Sequence, residues 1–282
     1  RTHIPTHLDR IERISRRVIA LTEKQASQLL KEVLLGFSDR HRNMEEQLLE
    51  NFDKVKPHID PAVDLSRVKQ MLLGAYFTME YAIESAALFN PSMVRHPDQG
   101  RLEPGELRFV MSLRATGEGH ISSIVFRSGI IEQDGSIEFD SISDYVLTPK
   151  MLHDPYYDKH LFRLKLMDME NWDDTAMNIL DGLPDEFTFE QLTASILRVH
   201  EDSNFESNDK TLVKIKWLAN SNYRMRFDER SRISERAIFP VSENESRGVE
   251  DARFVLFTDD NGDTTYYATY TAYNGYNILP QL

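Results

Sequence analysis

The fold is decided by the stretch from residue 245 to residue 273, which reads ESRGVEDARFVLFTDDNGDTTYYATYTAY. Its segments 251–258 and 264–273 are rich in β-branched and aromatic residues, which pack well on the pleated surface of a sheet. Between them, 259–263 has the sequence DDNGD, and Asp, Asn and Gly adopt turn geometry at low cost. The stretch therefore predicts a β-hairpin, with a glycine-containing loop in front of its first strand.

The same pattern occurs earlier in the chain. Short runs of β-forming residues alternate there with glycine-containing turns, TGEG at 116–119 and QDGS at 133–136. These runs predict a four-stranded antiparallel meander with strands near 92–95, 107–114, 120–131 and 137–140.

Two other regions have the period of helices. Residues 1–88 contain three apolar stripes, and the last stripe predicts a helix over roughly 64–88 with Asp64 as its N-cap. Because a residue before proline is pushed out of helical geometry, this helix is expected to end before Pro91. The helical period returns in four segments, near 159–169, 173–181, 188–199 and 209–219.

The predicted fold class is therefore α+β. The helical and β-forming patterns alternate along the chain, which indicates a helical insertion between two β-regions. The predicted organisation is an N-terminal helical region at 1–88, a β-region at 89–147, a helical insertion at 148–226 and a second β-region at 227–282.

The composition limits the classes of function. Lys and Arg total 33 against 46 Asp and Glu, and the formal net charge of -13 repels nucleic-acid phosphates and anionic membranes. The chain has no cysteine, which excludes disulfides and thiolate chemistry. Its histidines lack metal-site spacing and it has no glycine-rich nucleotide loop, so we expect neither a metal nor a cofactor. No apolar run reaches the roughly 18–20 residues of a membrane span, and we expect a cytoplasmic protein.

Charged residues adjoin the first strand of the hairpin. Side chains alternate along a strand, so Asp251 and Arg253 are expected on one face and Glu250 and Ala252 on the other. A carboxyl group that donates a proton must hold it near neutral pH, which a neighbouring guanidinium opposes. Spacing alone leaves two interpretations open: a proton-donating Asp251 whose burial outweighs the charge of Arg253, or a plain ion pair between the two residues.

The segment 245–253, Glu-x-x-Gly-Val-Glu-Asp-Ala-Arg, and the run YYATYTAY at 266–273 together resemble the paired signature of glycoside hydrolase family 130. This family comprises phosphorylases and hydrolases of β-mannosides, and Ala252 stands where its signature usually has proline. The resemblance implies a five-bladed β-propeller, with the first blade at 89–147 and part of the second at 227–282, preceded by the N-terminal helices of longer relatives. It also implies that Asp251 is the catalytic acid.

The resemblance further implies a sugar-binding site. The Phe-Asn-Pro segment around Asn90, with Arg114 at the end of the next strand, is similar to the pattern that lines the sugar subsite in this family. Arg253 and Tyr273 would line the same site. The residues alone also allow Asn90 as a turn cap, Arg114 as a solvated strand end and Tyr273 as packing within the sheet.

As a member of this family, the chain would cleave β-linked mannosides with inversion. Asp251 would protonate the glycosidic oxygen, while water or inorganic phosphate, as a co-substrate, attacks the anomeric carbon. The expected partner is a mannose-containing oligosaccharide. The groups that distinguish phosphorolysis from hydrolysis lie on later blades in the family, so the sequence leaves that choice open.

Two blades without the others would expose unpaired strand edges. We therefore expect a truncated chain, a partner that supplies the other blades, or an oligomer that protects the strand edges. The N-terminal helices are the expected contact of a homo-oligomer. The alternative function is a non-catalytic carbohydrate-binding or assembly protein, and a weaker one is a helical interaction module built on residues 1–88.

Overall fold

The structure is a computed structural model that describes residues 8–153, 156–202 and 210–282. The chain divides into two compact units, Arg1–Ser85 and Ala86–Leu282, each with its own apolar core. The first unit is helical and the second combines a large β-sheet with helices, so the predicted α+β class is confirmed. Within the described ranges, none of the helices combines the length and apolarity that a membrane span requires.

The first unit is built from helices that present one apolar face each to a common core. Thr22 fixes the beginning of the second helix: its hydroxyl accepts the Gln25 amide at 3.3 Å, and the Gln25 side chain accepts the Thr22 amide at 3.0 Å. Ile11, Phe52 and Leu72 are among the buried residues of the core. The helices are α1 (Leu8–Ile19), α2 (Glu23–Phe37), α3 (Met44–Val55) and α4 (Arg67–Tyr76).

The helix α4 is shorter than the predicted helix over 64–88. Its N-cap is Ser66 rather than Asp64, and it ends at Tyr76. The hydroxyl of Thr78 donates to the carbonyl of Gly74 at 2.8 Å, where the amide of residue 78 would bond if the helix continued. The amide of Phe77 also bonds to the Gly74 carbonyl, and the amide of Thr78 bonds to the carbonyl of Ala75, both at 3.1 Å, so the helix closes in a tighter last turn. The prediction of a helix up to residue 88 is therefore wrong.

The second unit begins with a four-stranded antiparallel meander, which confirms that prediction. The first strand is longer than expected, because it contains the Phe-Asn-Pro segment that was predicted to end a helix. Pro91 is tolerated in this strand because the pairing register shifts between Phe89 and Ser92. Each strand pairs with the next one in the order β1 (Ala87–Arg95), β2 (Leu107–Thr116), β3 (Ser122–Ile131) and β4 (Ile137–Phe139).

Helices follow the meander and confirm the four predicted helical segments. They are α5 (Lys159–Asp168), α6 (Asp174–Asp181), α7 (Phe189–Asp202) and α8 (Lys210–Asn220). These helices enclose a core of their own, which includes Leu166, Ile179 and Ile215. Residues 203–209, between the last two of these helices, lie outside the described residues. Two short strand pairs accompany the helices, β5 (Lys150–His153) with β8 (Tyr223–Arg226), and β6 (Tyr157–Asp158) with β7 (Glu186–Phe187).

The last strands join the same sheet as the meander. They are β9 (Ala237–Ile238), β10 (Gly248–Thr258), β11 (Thr264–Tyr273) and β12 (Ile278–Gln281), and β10 with β11 forms the predicted hairpin. Gly248 pairs with Ser122 of β3, which gives the strand order β1-β2-β3-β10-β11-β12, with β4 and β9 also on β3. The hairpin also contacts β1, where the Phe254 amide donates to the hydroxyl of Ser92 at 3.0 Å. Two segments that are distant in sequence thus meet in β1 and β10.

Close packing of α3 against α4 requires glycine at position 74. A Cβ atom on Gly74 would lie 1.8 Å from the carbonyl oxygen of Leu48, so alanine forces the helices apart. We expect Gly74→Ala to lower the free energy of unfolding by roughly 1–3 kcal/mol, measured by urea denaturation followed by circular dichroism.

The matched control is Gly36→Ala in α2, because nothing lies within 4 Å of the Cβ position there. This substitution removes a glycine from a helix without a clash, and we expect it to raise the free energy of unfolding by about 0.5–1 kcal/mol. Equal effects of the two substitutions would contradict the proposed packing of α3 on α4.

Candidate functional site

Two residues on different strands have left-handed backbone conformations. The φ angle is 53° for Asn90 in β1 and 54° for Asp251 in β10, and each strand shifts its register on its neighbour at this point. Asn and Asp tolerate this region better than other residues with a side chain. Such bulges bend a strand and redirect its side chains. Asn90 and Asp251 are therefore turned out of the regular alternation of their strands.

The two bulges contact each other directly. Nδ2 of Asn90 donates to Oδ1 of Asp251 at 2.5 Å, although the two residues are 161 positions apart. Nη1 of Arg253 donates to the carbonyl oxygens of Asn90 at 3.1 Å and of Pro91 at 2.6 Å. These bonds satisfy backbone groups at the irregular part of β1. The bond from Asn90 fixes the carboxylate of Asp251 against β1.

Arg114 of β2 lies next to both bulges. Its Nη2 donates to Oε1 of Glu250 at 2.6 Å, its Nε donates to the hydroxyl of Ser122 at 3.0 Å, and its guanidinium lies 5.0 Å from the ring centroid of Phe89. Its Nη1 is 3.6 Å from Oδ1 of Asp251. The exposed fractions of the side chains are 21% for Arg114, 14% for Glu250 and 37% for Asp251. Arg114 is thus a fixed cation, and Asp251 is the more accessible of its two carboxylate partners.

One expectation from the sequence, and one of its two open interpretations, are wrong at this point. Alternation predicts that Glu250 and Asp251 face opposite ways, yet both carboxylates contact Arg114, because the bulge interrupts the alternation. The plain ion pair between Asp251 and Arg253 is not found among the described residues either. Arg253 donates to backbone carbonyls of β1, and the charged partner of Asp251 is Arg114.

Sequence analysis gave no role to Glu250, although the loop contains an indication of it. A Cβ atom on Gly248 would lie 2.8 Å from Oε1 of Glu250 and 3.0 Å from Cβ of Ser122. A side chain at position 248 would crowd the carboxylate of Glu250 where it reaches Arg114. The spacing Gly-x-Glu at the start of a strand is the signal, but it becomes specific only when the partner strand is known.

Tyr273 has a less direct relation to this cluster. It lies at the end of β11 and pairs with Gly248, close to the first residues of β10. In the part of the chain that the structure describes, its side chain forms no hydrogen bond or ion pair with Asn90 or Asp251. The assignment of Tyr273 to a sugar site therefore stays a prediction.

Glu245, the first residue of the quoted motif, is buried, with 1% of its surface exposed. The hydroxyl groups of Tyr223 and Tyr270 donate to its Oε1 at 2.8 Å and 2.7 Å. Burial raises the pKa of both tyrosines, and the adjacent carboxylate of Glu245 raises it further. Both phenols therefore keep their protons and act as donors. Glu245 belongs to the quoted motif, but the sequence analysis gave it no role.

The cluster of Asn90, Arg114, Glu250, Asp251 and Arg253 is called the bulge cluster below. It combines amide and guanidinium donors with carboxylate acceptors that are held in place by mutual contacts. Such fixed donors and acceptors suit a neutral polyol, since a sugar hydroxyl both donates and accepts hydrogen bonds. Across residues 8–153, 156–202 and 210–282, no group of acidic and histidine side chains is arranged to hold a metal ion.

Comparison with known proteins identifies no relative of this chain. No protein-family model, no curated protein and no solved structure matches the chain. The resemblance to family 130 therefore depends on the quoted motifs alone. The function has to be argued from those motifs and from the geometry of the bulge cluster.

Arg114 compensates two neighbouring carboxylates, and its removal is expected to destabilise the second unit. We expect Arg114→Met to lower the free energy of unfolding at pH 7 by about 2 kcal/mol, as is typical for lost hydrogen bonds to charged groups. Denaturation in urea measures the change. Adding Glu250→Gln to Arg114→Met should recover part of the loss, because it removes one of the two uncompensated charges.

Arg230→Met is the matched control for this substitution. Arg230 pairs with Asp228 at the surface, and 92% of its side chain is exposed. We expect no measurable change in stability, because exposed ion pairs contribute little. A loss as large as that of Arg114→Met, or a double variant without any recovery, would speak against the described role of Arg114.

Proposed function

We propose that the chain carries the acid and part of the sugar-binding site of an enzyme that cleaves β-linked mannosides with inversion, by phosphorolysis or hydrolysis. The observation that carries the proposal is the contact between Asn90, Arg114 and Asp251. The motif resemblance implies that these three residues share one site, although they come from three different strands. A turn cap, a solvated strand end and a surface acid would have no reason to meet.

Asp251 is the residue that we propose as the general acid. Its side chain is 37% exposed, so a substrate oxygen can approach it, whereas Glu250 is 14% exposed and bonds to Arg114 at 2.6 Å. The proton of Asp251 would pass to the glycosidic oxygen, directly or through a mannose hydroxyl in phosphorolysis. Phosphate or water would attack the anomeric carbon from the opposite side, which inverts its configuration.

Glu250 supports this role through its charge. The Nη1 atom of Arg114 lies 3.6 Å from Asp251, while Nη2 of the same guanidinium lies 2.6 Å from Glu250. The acid therefore faces a cation whose charge is already compensated. An uncompensated guanidinium at this distance would oppose protonation of a carboxylate more strongly.

The proposed substrate-binding residues are Asn90, Arg114, Arg253 and Tyr273. The first three are held by contacts within the bulge cluster, so their polar groups have little conformational freedom left to lose when a sugar binds. Arg253 bonds to two carbonyl groups of β1 through a single nitrogen, Nη1. In the described part of the chain its Nη2 and Nε form no hydrogen bond, which leaves them for substrate hydroxyl groups.

We also propose that the strands belong to a five-bladed β-propeller. A four-stranded antiparallel meander is the unit from which a propeller blade is built, and β1 to β4 form such a meander. The hairpin of β10 and β11 would begin the second blade. In support, β10 pairs with β3 through a single residue pair, Gly248 and Ser122, so the ladder pairing between the two groups of strands is confined to one point.

A non-catalytic carbohydrate-binding protein is the second candidate, and one observation favours it. The amide of Asn90 and the guanidinium of Arg114 both point at Oδ1 of Asp251. Sugar binding requires only such a fixed acceptor, without any proton transfer. In this case the bulge cluster would hold mannose without cleaving it.

Turnover of β-1,2- and β-1,4-linked mannobiose tests the proposal. We expect the wild type to release mannose, or α-mannose 1-phosphate when phosphate is added, and Asp251→Asn to lower kcat by about 10²–10⁴-fold. Asparagine has the same size and still accepts hydrogen bonds, but it has no acidic proton to donate. Chromatography of the products, with and without phosphate, measures both reactions.

The matched control is Asp260→Asn, because Asp260 is an exposed residue in the turn of the same hairpin. It should leave kcat unchanged. Mannobiose binding to the wild type without turnover, measured by calorimetry, would favour the carbohydrate-binding protein. A wild type that neither binds nor cleaves mannobiose would refute both candidates.

A further inference from the structure

The carboxylate of Glu245 is buried and is satisfied by four donors. It accepts hydrogen bonds from the hydroxyl groups of Tyr223 at 2.8 Å and Tyr270 at 2.7 Å, and from the amides of Val241 at 3.1 Å and Ser242 at 2.9 Å. A buried charge is costly unless its donors are in place, and the loss of one donor leaves a penalty that the others do not remove. The groups around Glu245 are therefore held in one arrangement.

One of these contacts, from Tyr223, and two hydrogen bonds of the neighbouring Asn244 connect the helical segment α5–α8 to the turn before β10. Tyr223 is the first residue of β8, which follows α8 closely in the chain. Asn244, next to Glu245, accepts a hydrogen bond from Nε1 of Trp217 at 2.5 Å and donates one to the hydroxyl of Ser221 at 3.4 Å. Hydrogen bonds thus join the end of α8 to the turn that leads to the bulge cluster.

The other phenol connects Glu245 to the bulge itself. Across the bulge of β10, the pairing partners on β11 change from Thr271 to Thr269, so Tyr270 is the β11 residue that lies opposite Asp251. A slip of one residue in the pairing would turn Asp251 to the other face of the sheet. The bond between Tyr270 and Glu245 holds β11 at the point where such a slip would occur.

We propose that Glu245 is a positioning residue for Asp251. Through the hydroxyl of Tyr270 it fixes the register of β11 opposite the bulge, and through Tyr223 it ties that register to the helical segment. The catalytic consequence rests on the proposed function, since Asp251 acts as an acid only if that function holds. The geometric consequence, the position of Asp251 against Asn90, is independent of it.

Tyr270→Phe tests the geometric consequence, because it removes a single hydroxyl group. The control is Tyr266→Phe, since Tyr266 lies on the same strand and donates at the same distance, 2.7 Å, but to the carbonyl of Arg95. The readout is the NMR resonance of the Asn90 side-chain amide, which donates to Asp251 and is assigned by its loss in Asn90→Ser. We expect it to shift in Tyr270→Phe and to stay in place in Tyr266→Phe.

Kinetics test the catalytic consequence. We expect Tyr270→Phe to lower kcat on mannobiose by about tenfold, because a small misplacement of a catalytic group is costly. KM should change by less than about twofold, since the sugar-binding groups remain. Glu245→Gln keeps a carbonyl acceptor for Tyr270 and should retain more activity than Glu245→Ala. Tyr266→Phe should leave kcat and KM unchanged.

The outcomes separate the positioning role from the proposed function. A wild type without turnover whose Asn90 resonance shifts in Tyr270→Phe refutes the function and keeps the positioning role of Glu245. An active wild type whose resonance and kcat are both unchanged in Tyr270→Phe overturns the positioning role and keeps the function. Equal shifts in Tyr270→Phe and Tyr266→Phe also overturn it, because the effect would then belong to β11 as a whole.

Discussion

The hydrogen bond between Asn90 and Asp251 is the contact on which the rest of the candidate site depends. It joins two bulges 161 positions apart, each with a residue in the left-handed backbone region. That conformation costs roughly 1–2 kcal/mol for most residues with a side chain, and less for Asn and Asp. Neither bulge is favourable alone, because each interrupts regular strand pairing. The contact between them, with the two bonds of Arg253 to β1, offsets this cost.

The neighbouring strands β2 and β3 hold a cation beside the two bulges. Arg114 of β2, held by Ser122 of β3 and by Glu250, places a compensated positive charge beside Asp251. The meander thus acts as a platform that carries the cation, while β10 brings the carboxylates to it. Glu245 also supports the bulge, because its hydrogen bonds with Tyr270 and Tyr223 link β11 to the helical segment. The charge of Arg114, the register of β11 and the packing of the helical segment therefore all act on the position of Asp251.

The sequence predicted the meander, the hairpin and the helices of the insertion, because burial on one face leaves a period that survives in the residue pattern. It failed where one distant or competing contact decides the structure. Helix α4 closes in a tight turn at Phe77 and Thr78 although the apolar period continues, and the bulge at Asp251 breaks an alternation that local pattern reasoning assumes. The motif placed Asn90, Arg114 and Asp251 in one site, and these side chains do meet. The roles of Glu250 and Glu245 were missed, because they depend on partners that only the folded chain provides.

The long separation between Asn90 and Asp251 also bears on the order in which the second unit folds. Closing a chain segment of this length is entropically unfavourable and slow when the segment is disordered. The helices α5–α8 lie inside the segment and have a core of their own, so their contacts can form early and bring the ends of the segment closer. Folding of this segment therefore shortens the disordered length that must be closed for Asn90 to meet Asp251.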